Sequence, residues 1–201
     1  MIIVKPNKTG IQQAVEILKS GGVIVYPTDT AYALGGKFNS KKVINKVLQI
    51  KERRDEKFTI IASSLNQVRR FFKLNFVAKK LAKKYWPGPL SIVVSNCYAV
   101  RVPKNKISQS LSQKAGFPLI ATSANISGAK TPYQVQEILR QFVNKKNQPD
   151  LILDSGRLPR VNPSTLIKAE NGKIKILRRG PIDLPGSINN YSSKSPKPPR
   201  Q

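Results

Sequence analysis

Val23-Ile24-Val25-Tyr26, followed directly by Pro27-Thr28-Asp29-Thr30, decides how this chain folds. Four apolar residues in a row, β-branched or aromatic, read as a strand buried on both faces, which belongs to an α/β sheet covered by helices. Pro27 stops the run, and three polar residues then form a loop at its end. Upstream, Ile11, Ala14, Val15 and Leu18 share one helical face, and the helix closes at Ser20-Gly21-Gly22, where glycine supplies a left-handed cap. Ile2 to Val4 reads as a short leading strand.

Working downstream, Ser40 caps a helix whose buried face is Val43, Ile44, Val47 and Leu48. The helix runs into Lys51-Glu52-Arg53-Arg54-Asp55-Glu56-Lys57, a segment too charged for an interior. Thr59–Ala62 reads as a strand. Ser64 with Gln67 gives a capping-box signal for a helix to Phe72, and a second helix covers Val77–Tyr85. Strands are expected over Leu90–Ser95 and Tyr98–Val102, a helix around Ile107–Lys114, and a strand over Leu119–Thr122. A further helix is expected to begin at Thr131-Pro132, with proline in its first turn, and to end near Phe142. Strands over Leu151–Asp154, Thr165–Lys168 and Lys173–Leu177 close the domain, the last two joined by an Asn171-Gly172 hairpin turn. The alternation of helices and strands, with close strand neighbours and a terminal hairpin, implies a mixed sheet. From Pro181 onward the composition changes, and residues 186–201 read as a disordered basic tail after a domain spanning 1–185.

Composition narrows the function. Of 201 residues, 39% are hydrophobic and only 7% aromatic, which fits an aliphatic α/β domain with a sizeable core and excludes a disordered chain. The apolar runs are too short to cross a bilayer. Met1–Lys5 leads straight into polar residues, so no signal peptide is expected and a cytoplasmic location is the default. A single cysteine, Cys97, excludes an internal disulfide and a thiolate zinc cluster, and reads as a small buried hydrophobe. Histidine is absent, which removes the usual general base and the Ser-His and Cys-His nucleophile pairs. Thirty-six Lys and Arg against ten Asp and Glu give a formal charge of +26. That field calls for an anionic partner such as nucleic acid, nucleotides or an acidic membrane surface, or else reflects a lysine-rich composition.

Five polar segments each sit where a hydrophobic run ends: Pro27–Thr30, Lys51–Arg53, Pro87-Gly88-Pro89-Leu90, Ser123-Ala124-Asn125-Ile126-Ser127-Gly128 and Pro163-Ser164-Thr165. None is apolar enough for a core, so they are expected as loops converging on one composite site. Generic phosphate motifs are missing, and Gly35-Gly36 reads as a turn. Lys51, Arg53, Arg54 and Lys57 form either a cationic phosphate-binding loop or a solvated helix end. Ser123 and Asn125 are either a turn that closes its own loop or an anion nest. Arg101 is either a carboxylate clamp or a surface arginine on an edge strand.

Taken together and in order, these segments resemble the YrdC-domain family, the threonylcarbamoyl-AMP synthases in their single-domain form, over Ile11 to Gly180. The family pattern of P-T-[DE]-T, K-x-R, P-G-P, an arginine strand, S-x-N-x-S-G and a late S-T with an arginine before glycine is matched throughout. The resemblance implies a twisted mixed sheet flanked by helices, with a concave, positively lined groove. It implies condensation of L-threonine, bicarbonate and ATP to threonylcarbamoyl-AMP with release of pyrophosphate. A partner enzyme complex would then carry that group to tRNA. By the same resemblance Thr30, Arg101, Ser123 and Ser164 contact threonine, while Arg53, Lys57, Asn125 and Arg178 contact the nucleotide. Lys51, Arg53, Ser123 and Asn125 form the catalytic set, and Mg²⁺ arrives with the ATP phosphates rather than on a protein-built site. Three positions depart from the pattern: Ala33 for a glycine, Phe58-Thr59 for Pro-Leu as in the YciO-like branch, and Ala62 where some members have histidine. The retained Lys51, Arg53, Ser123 and Asn125 place the chain with the synthases. The alternatives are a non-catalytic double-stranded RNA-binding module and a YciO-like paralogue of the same fold.

Overall fold

The computed structural model describes residues 1–170 and 172–184. The expected basic tail, and Asn171 of the terminal turn, lie outside the described residues. Ten strands form one mixed sheet in the order β1-β8-β2-β3-β7-β4-β6-β5-β9-β10. Its left half holds β1 (Ile2–Val4), β8 (Leu151–Leu153), β2 (Ile24–Pro27), β3 (Tyr32–Gly35) and β7 (Leu119–Ser123). The right half holds β4 (Phe58–Ile61), β6 (Tyr98–Arg101), β5 (Leu90–Val93), β9 (Thr165–Glu170) and β10 (Lys173–Arg178). Pairs β1·β8, β2·β8, β4·β6 and β5·β9 run parallel and the others antiparallel.

The alternation of β2 shows why its apolar run is continuous. Val23 and Val25 point to one face with α2 (Lys41–Lys51) and α6 (Val135–Phe142), packing on Val43, Val47, Ile138 and Phe142. Ile24 and Tyr26 point to the other, under α1 (Lys8–Lys19) and α5 (Lys106–Ala115), against Leu18 and Leu111. A third cluster packs Val68 of α3 (Leu65–Phe71) and Ala78 and Ala82 of α4 (Phe76–Tyr85) on the right half of the sheet. Each fully buried aliphatic side chain contributes about 1.5–3 kcal/mol. Side-chain caps fix most helix starts, each worth about 1 kcal/mol: Asn7, Ser40, Ser64, Asn75 and Asn105 all accept from backbone amides in the first turn. No helix among the described residues is long and apolar enough to cross a membrane.

Several sequence expectations are corrected. Tyr32–Gly35 is a strand, β3, paired antiparallel to β2. Its Ala-Leu-Gly sequence lacks β-branched residues, and Gly35-Gly36 therefore suggested a turn. In fact Gly35 lies where a Cβ would sit 1.7 Å from the Ile120 carbonyl oxygen, so close approach to β7 demands glycine. Helix α6 starts at Val135 rather than at Thr131-Pro132, because Gln134 is extended and makes no side-chain cap. Cys97 is exposed rather than buried.

The two ends of the sheet differ. β10 alternates Lys173 and Lys175 with partly or fully buried Ile174 and Ile176, a guarded edge. β1 is three residues long, with Ile2 and Ile3 exposed at 56% and 45%. Gly35→Ala should destabilise the fold by about 1–3 kcal/mol, because the obstructing atom is backbone. Urea denaturation measures this, and an unchanged midpoint would show that β3 and β7 can separate freely.

Candidate functional site

Four of the five polar segments meet at one cleft of about 390 Å³ on the sheet. The β2–β3 turn supplies Thr28 and Thr30, the segment after α2 supplies Arg53 and Lys57, the end of β7 supplies Ser123, and the β9–β10 region supplies Ser164 and Arg178. Arg101 enters from β6. Pro87–Leu90 stays outside and acts as an anchor: Gly88 N donates to Val102 O, and Thr165 N donates to Pro89 O, both at 2.9 Å. That ties the Ser164 segment to the arginine strand.

The β2–β3 turn is built around one hydroxyl. Thr28 Oγ1 accepts from the backbone N of Thr30 and of Ala31 and donates to Ala31 O. Thr28 is thereby buried, and Thr30 Oγ1 sits 3.1 Å from the Thr28 hydroxyl. Asp29 accepts from Lys104 N.

Arg101 corrects one expectation. β6 lies between β4 and β5, an interior strand, and Arg101 is only 4% exposed. Its Nη1 is 3.1 Å from Asp29 Oδ1, close enough for charge attraction, but the N–H vectors do not align with that oxygen. Nη2 donates to Thr30 Oγ1 at 3.5 Å, a marginal bond. Nε and Nη1 have no hydrogen-bond partner among the described residues. Burial lowers the Arg101 pKa, with Asp29 and Tyr26 acting in the opposite direction, and the guanidinium stays charged at any physiological pH.

Ser164 is held from two sides. Its hydroxyl lies 2.8 Å from Ser91 Oγ and accepts from Arg178 Nη2 at 3.1 Å, while Arg178 Nε donates to Ser164 O. Burial, then the charge of Arg101, lowers the Arg178 pKa. Arg53 folds back over the Phe58 ring, donates to Lys57 O at 2.7 Å and pairs with Asp55 at 3.2 Å.

Lys51 and Asn125 are not among the residues lining the cleft. Lys51, expected in a loop too charged for an interior, ends α2 and is 3% exposed. Its Nζ donates to Ser123 O at 2.6 Å and Asn125 O at 2.7 Å, and its own carbonyl accepts from Ser127 N. Burial, then the charge of Arg53, pulls the ammonium down to about 8. Asn125 Nδ2 donates to Ile126 O and Ala129 O, which closes the loop onto itself. Both residues therefore stand behind the wall that carries Ser123. Sequence reading missed Tyr32 and Tyr133. Tyr32 lines the cleft, donates to Gly156 O and accepts from Ser155 N. Tyr133 lines it with Arg160 over its ring. Reading Thr131-Pro132 as a helix start concealed Tyr133.

Fold and site together define an α/β protein with a buried arginine and further cations on a cleft lined by hydroxyls. The Sua5/YciO/YrdC family model, described as telomere recombination, matches residues 16–180, and the chain belongs to this family. A protein of Buchnera aphidicola named threonylcarbamoyl-AMP synthase is 31% identical over 176 residues, covering 79% of this chain and 98% of its own. YciO of Escherichia coli K12 is 31% identical over 194 residues, covering 89% of this chain and 93% of its own. The E. coli YciO crystal structure superposes with a TM-score of 0.78 at 29% identity, covering 93% of this chain and 98% of that one. P. abyssi Sua5 complexed with L-threonine superposes with a TM-score of 0.78 at 26% identity. This chain is covered to 89% in that match but spans only 56% of the Sua5 chain.

The Lys51 shift predicts a pH dependence. An ammonium at about 8 in the folded protein and near 10.5 when unfolded leaves the unfolded chain with more protons between those values. Stability relative to Lys51→Met should therefore be constant below pH 8 and move in favour of Lys51 as pH rises from 8 to 10.5. Paired urea titrations at neutral and alkaline pH measure this, and a difference that fell with pH would contradict the burial.

Proposed function

We propose that the chain is an L-threonylcarbamoyladenylate synthase, condensing L-threonine, bicarbonate and ATP to threonylcarbamoyl-AMP, pyrophosphate and water. The observation that carries the reading is Arg101, a buried guanidinium whose Nε and Nη1 lack hydrogen-bond partners among the described residues, at a cleft that also carries the hydroxyls of Thr30, Ser123 and Ser164 and the cations Arg53, Lys57 and Arg178. A planar guanidinium fork is matched by a carboxylate. Threonine's carboxylate would sit against the Arg101 guanidinium, with Thr30, Ser123 and Ser164 around its amine and hydroxyl. The Buchnera relative's name and the threonine complex of Sua5 support the same reading.

Arg53, Lys57 and Arg178 would face the nucleotide phosphates. The threonine amine combines with bicarbonate to give a carbamate and water, and a carbamate oxygen forms the new bond to the α-phosphorus. The bond from that phosphorus to the α,β-bridging oxygen breaks, and pyrophosphate leaves with the electron pair. No histidine base is required for this displacement. Two anions must be aligned and their charge offset, and alignment alone can account for about 7–11 kcal/mol of barrier. Lys51 and Asn125 serve by holding the Ser123 turn in place rather than by touching the reacting atoms.

Among the described residues no group of three or more carboxylate, cysteine or histidine side chains could cage a metal. The carboxylate nearest Arg101, Asp29, is already engaged by it and by Lys104 N. Mg²⁺ would therefore be held by the phosphates of ATP, where it offsets their charge. The product calls for a transfer enzyme complex and tRNA as onward partners, and a cytoplasmic site of action.

Pyrophosphate release that requires both L-threonine and bicarbonate tests the reaction, and release independent of threonine would refute it. Arg101→Lys keeps the charge but loses the fork, so the threonine KM should rise at least tenfold, about 1.4 kcal/mol, with far-ultraviolet circular dichroism unchanged. Arg53→Ala should lower kcat/KM for ATP by at least about tenfold. Full activity of that variant at subsaturating ATP would remove Arg53 from the phosphate site.

A further inference from the structure

All ten carboxylate residues lie at or before Glu56 or at or after Glu137, so residues 57–136 carry thirteen Lys and Arg and no acid. Seven of these cations gather on the outer side of α3 and α4: Arg69, Arg70, Lys73, Lys79, Lys80, Lys83 and Lys84, all exposed. Among the described residues none of the seven is within ion-pair distance of a carboxylate. Glu170, the acid that lines the adjoining groove, is paired with Lys168 at 2.8 Å. Lys79 with Lys83 and Lys80 with Lys84 stand four residues apart on one helix, a like-charge spacing that costs stability. Arg69 and Arg70 in the last turn of α3 and Lys83 and Lys84 in the last turn of α4 gain from the helix dipole, whereas Lys73, Lys79 and Lys80 do not. The face therefore concentrates positive charge that the fold itself leaves uncompensated.

Aromatic rings are interleaved with this charge. Phe76, in the first turn of α4, is 69% exposed, and Lys80 Nζ stands 4.5 Å from its ring centroid. Arg70 lies over Phe71 and Lys84 over Tyr85 at longer range. An exposed phenyl ring with an ammonium over one face offers its other face for stacking to a planar base, and the neighbouring lysines offer counter-charge to the phosphates. A duplex, with its bases stacked inside, could use only the charges.

We propose that the α3–α4 face binds a single-stranded stretch or loop of nucleic acid, with Phe76 as the base-stacking platform and the α4 lysines on the phosphates. The surface is separate from the cleft and does not rest on the proposed reaction. The test uses the full chain and a short fluorescein-labelled oligouridylate, followed by fluorescence anisotropy over a range of salt, with wild-type-like melting temperature required of each variant. Phe76→Ala should weaken binding at least fivefold, since stacking is worth about 1–3 kcal/mol per base, while Phe76→Tyr retains it. Lys79, Lys80, Lys83 and Lys84 changed together to Gln should flatten the salt dependence by about 1–3 units of log–log slope. The oligonucleotide should also bind more tightly than a blunt duplex of equal length. Wild-type affinity in Phe76→Ala, an unchanged salt slope in the lysine variant, or tighter duplex binding would each overturn the proposal. So would variants that keep the oligonucleotide but lose phosphatidylserine vesicles, which would make the face a membrane contact.

Discussion

The Lys51 ammonium, buried at the end of α2 and clamped on the carbonyls of Ser123 and Asn125, is the interaction on which the cleft depends. Hydrogen bonds to a charged donor are worth about 1.5–3 kcal/mol each, and burial of the charge is tolerated only while those acceptors stay in place. The consequence is a rigid joint between three parts of the chain. The helix α2 terminus, the end of β7 and the turn through Ser127 cannot move independently. Ser123 faces the cleft because the two carbonyls around it are tethered from behind.

The rest of the site follows the same division of labour. Groups that hold backbone are buried and saturated: Thr28 in its turn and Asn125 across its loop. Groups that face the cleft retain hydrogen-bonding capacity, and Arg101 does so most clearly. Positive charge from three chain segments thus surrounds a small polar volume, which suits chemistry driven by alignment and charge compensation. Arg101 and Arg178 each lose some basicity to burial, and Arg178 also to Arg101 itself. Bringing an anion between them would relieve that strain on both.

Most of the architecture was legible in the sequence because local signals agreed. Capping residues at Ser40 and Ser64, the apolar helical faces and the continuous run at β2 all named elements that the structure contains. β3 was hidden because a strand pressed against a neighbouring backbone needs glycine and alanine, the residues that weaken a strand signal. The site residues were legible as polar segments after apolar runs, and their meeting at one cleft was an inference from order alone. Their burial was not legible. Charge density predicted that Lys51 would be solvated, whereas partners 72 and 74 residues away offset the cost of its burial. The Asp29–Arg101 ion pair joins the β2–β3 turn to the distant strand β6, and no local pattern announces it.

The unequal ends of the sheet bear on colloidal behaviour. At β10 the lysines deny a foreign strand any flush approach, while at β1 a short backbone edge flanked by Ile2 and Ile3 remains open among the described residues. Edge-to-edge growth therefore has one permissive terminus, and what opposes it is the mutual repulsion of molecules carrying +26. Repulsion of that kind reaches only about 10 Å at 0.1 M salt and about 3 Å at 1 M. High ionic strength, which disperses many basic proteins by stripping nucleic acid from them, would for this one also lift the barrier that keeps separate copies apart.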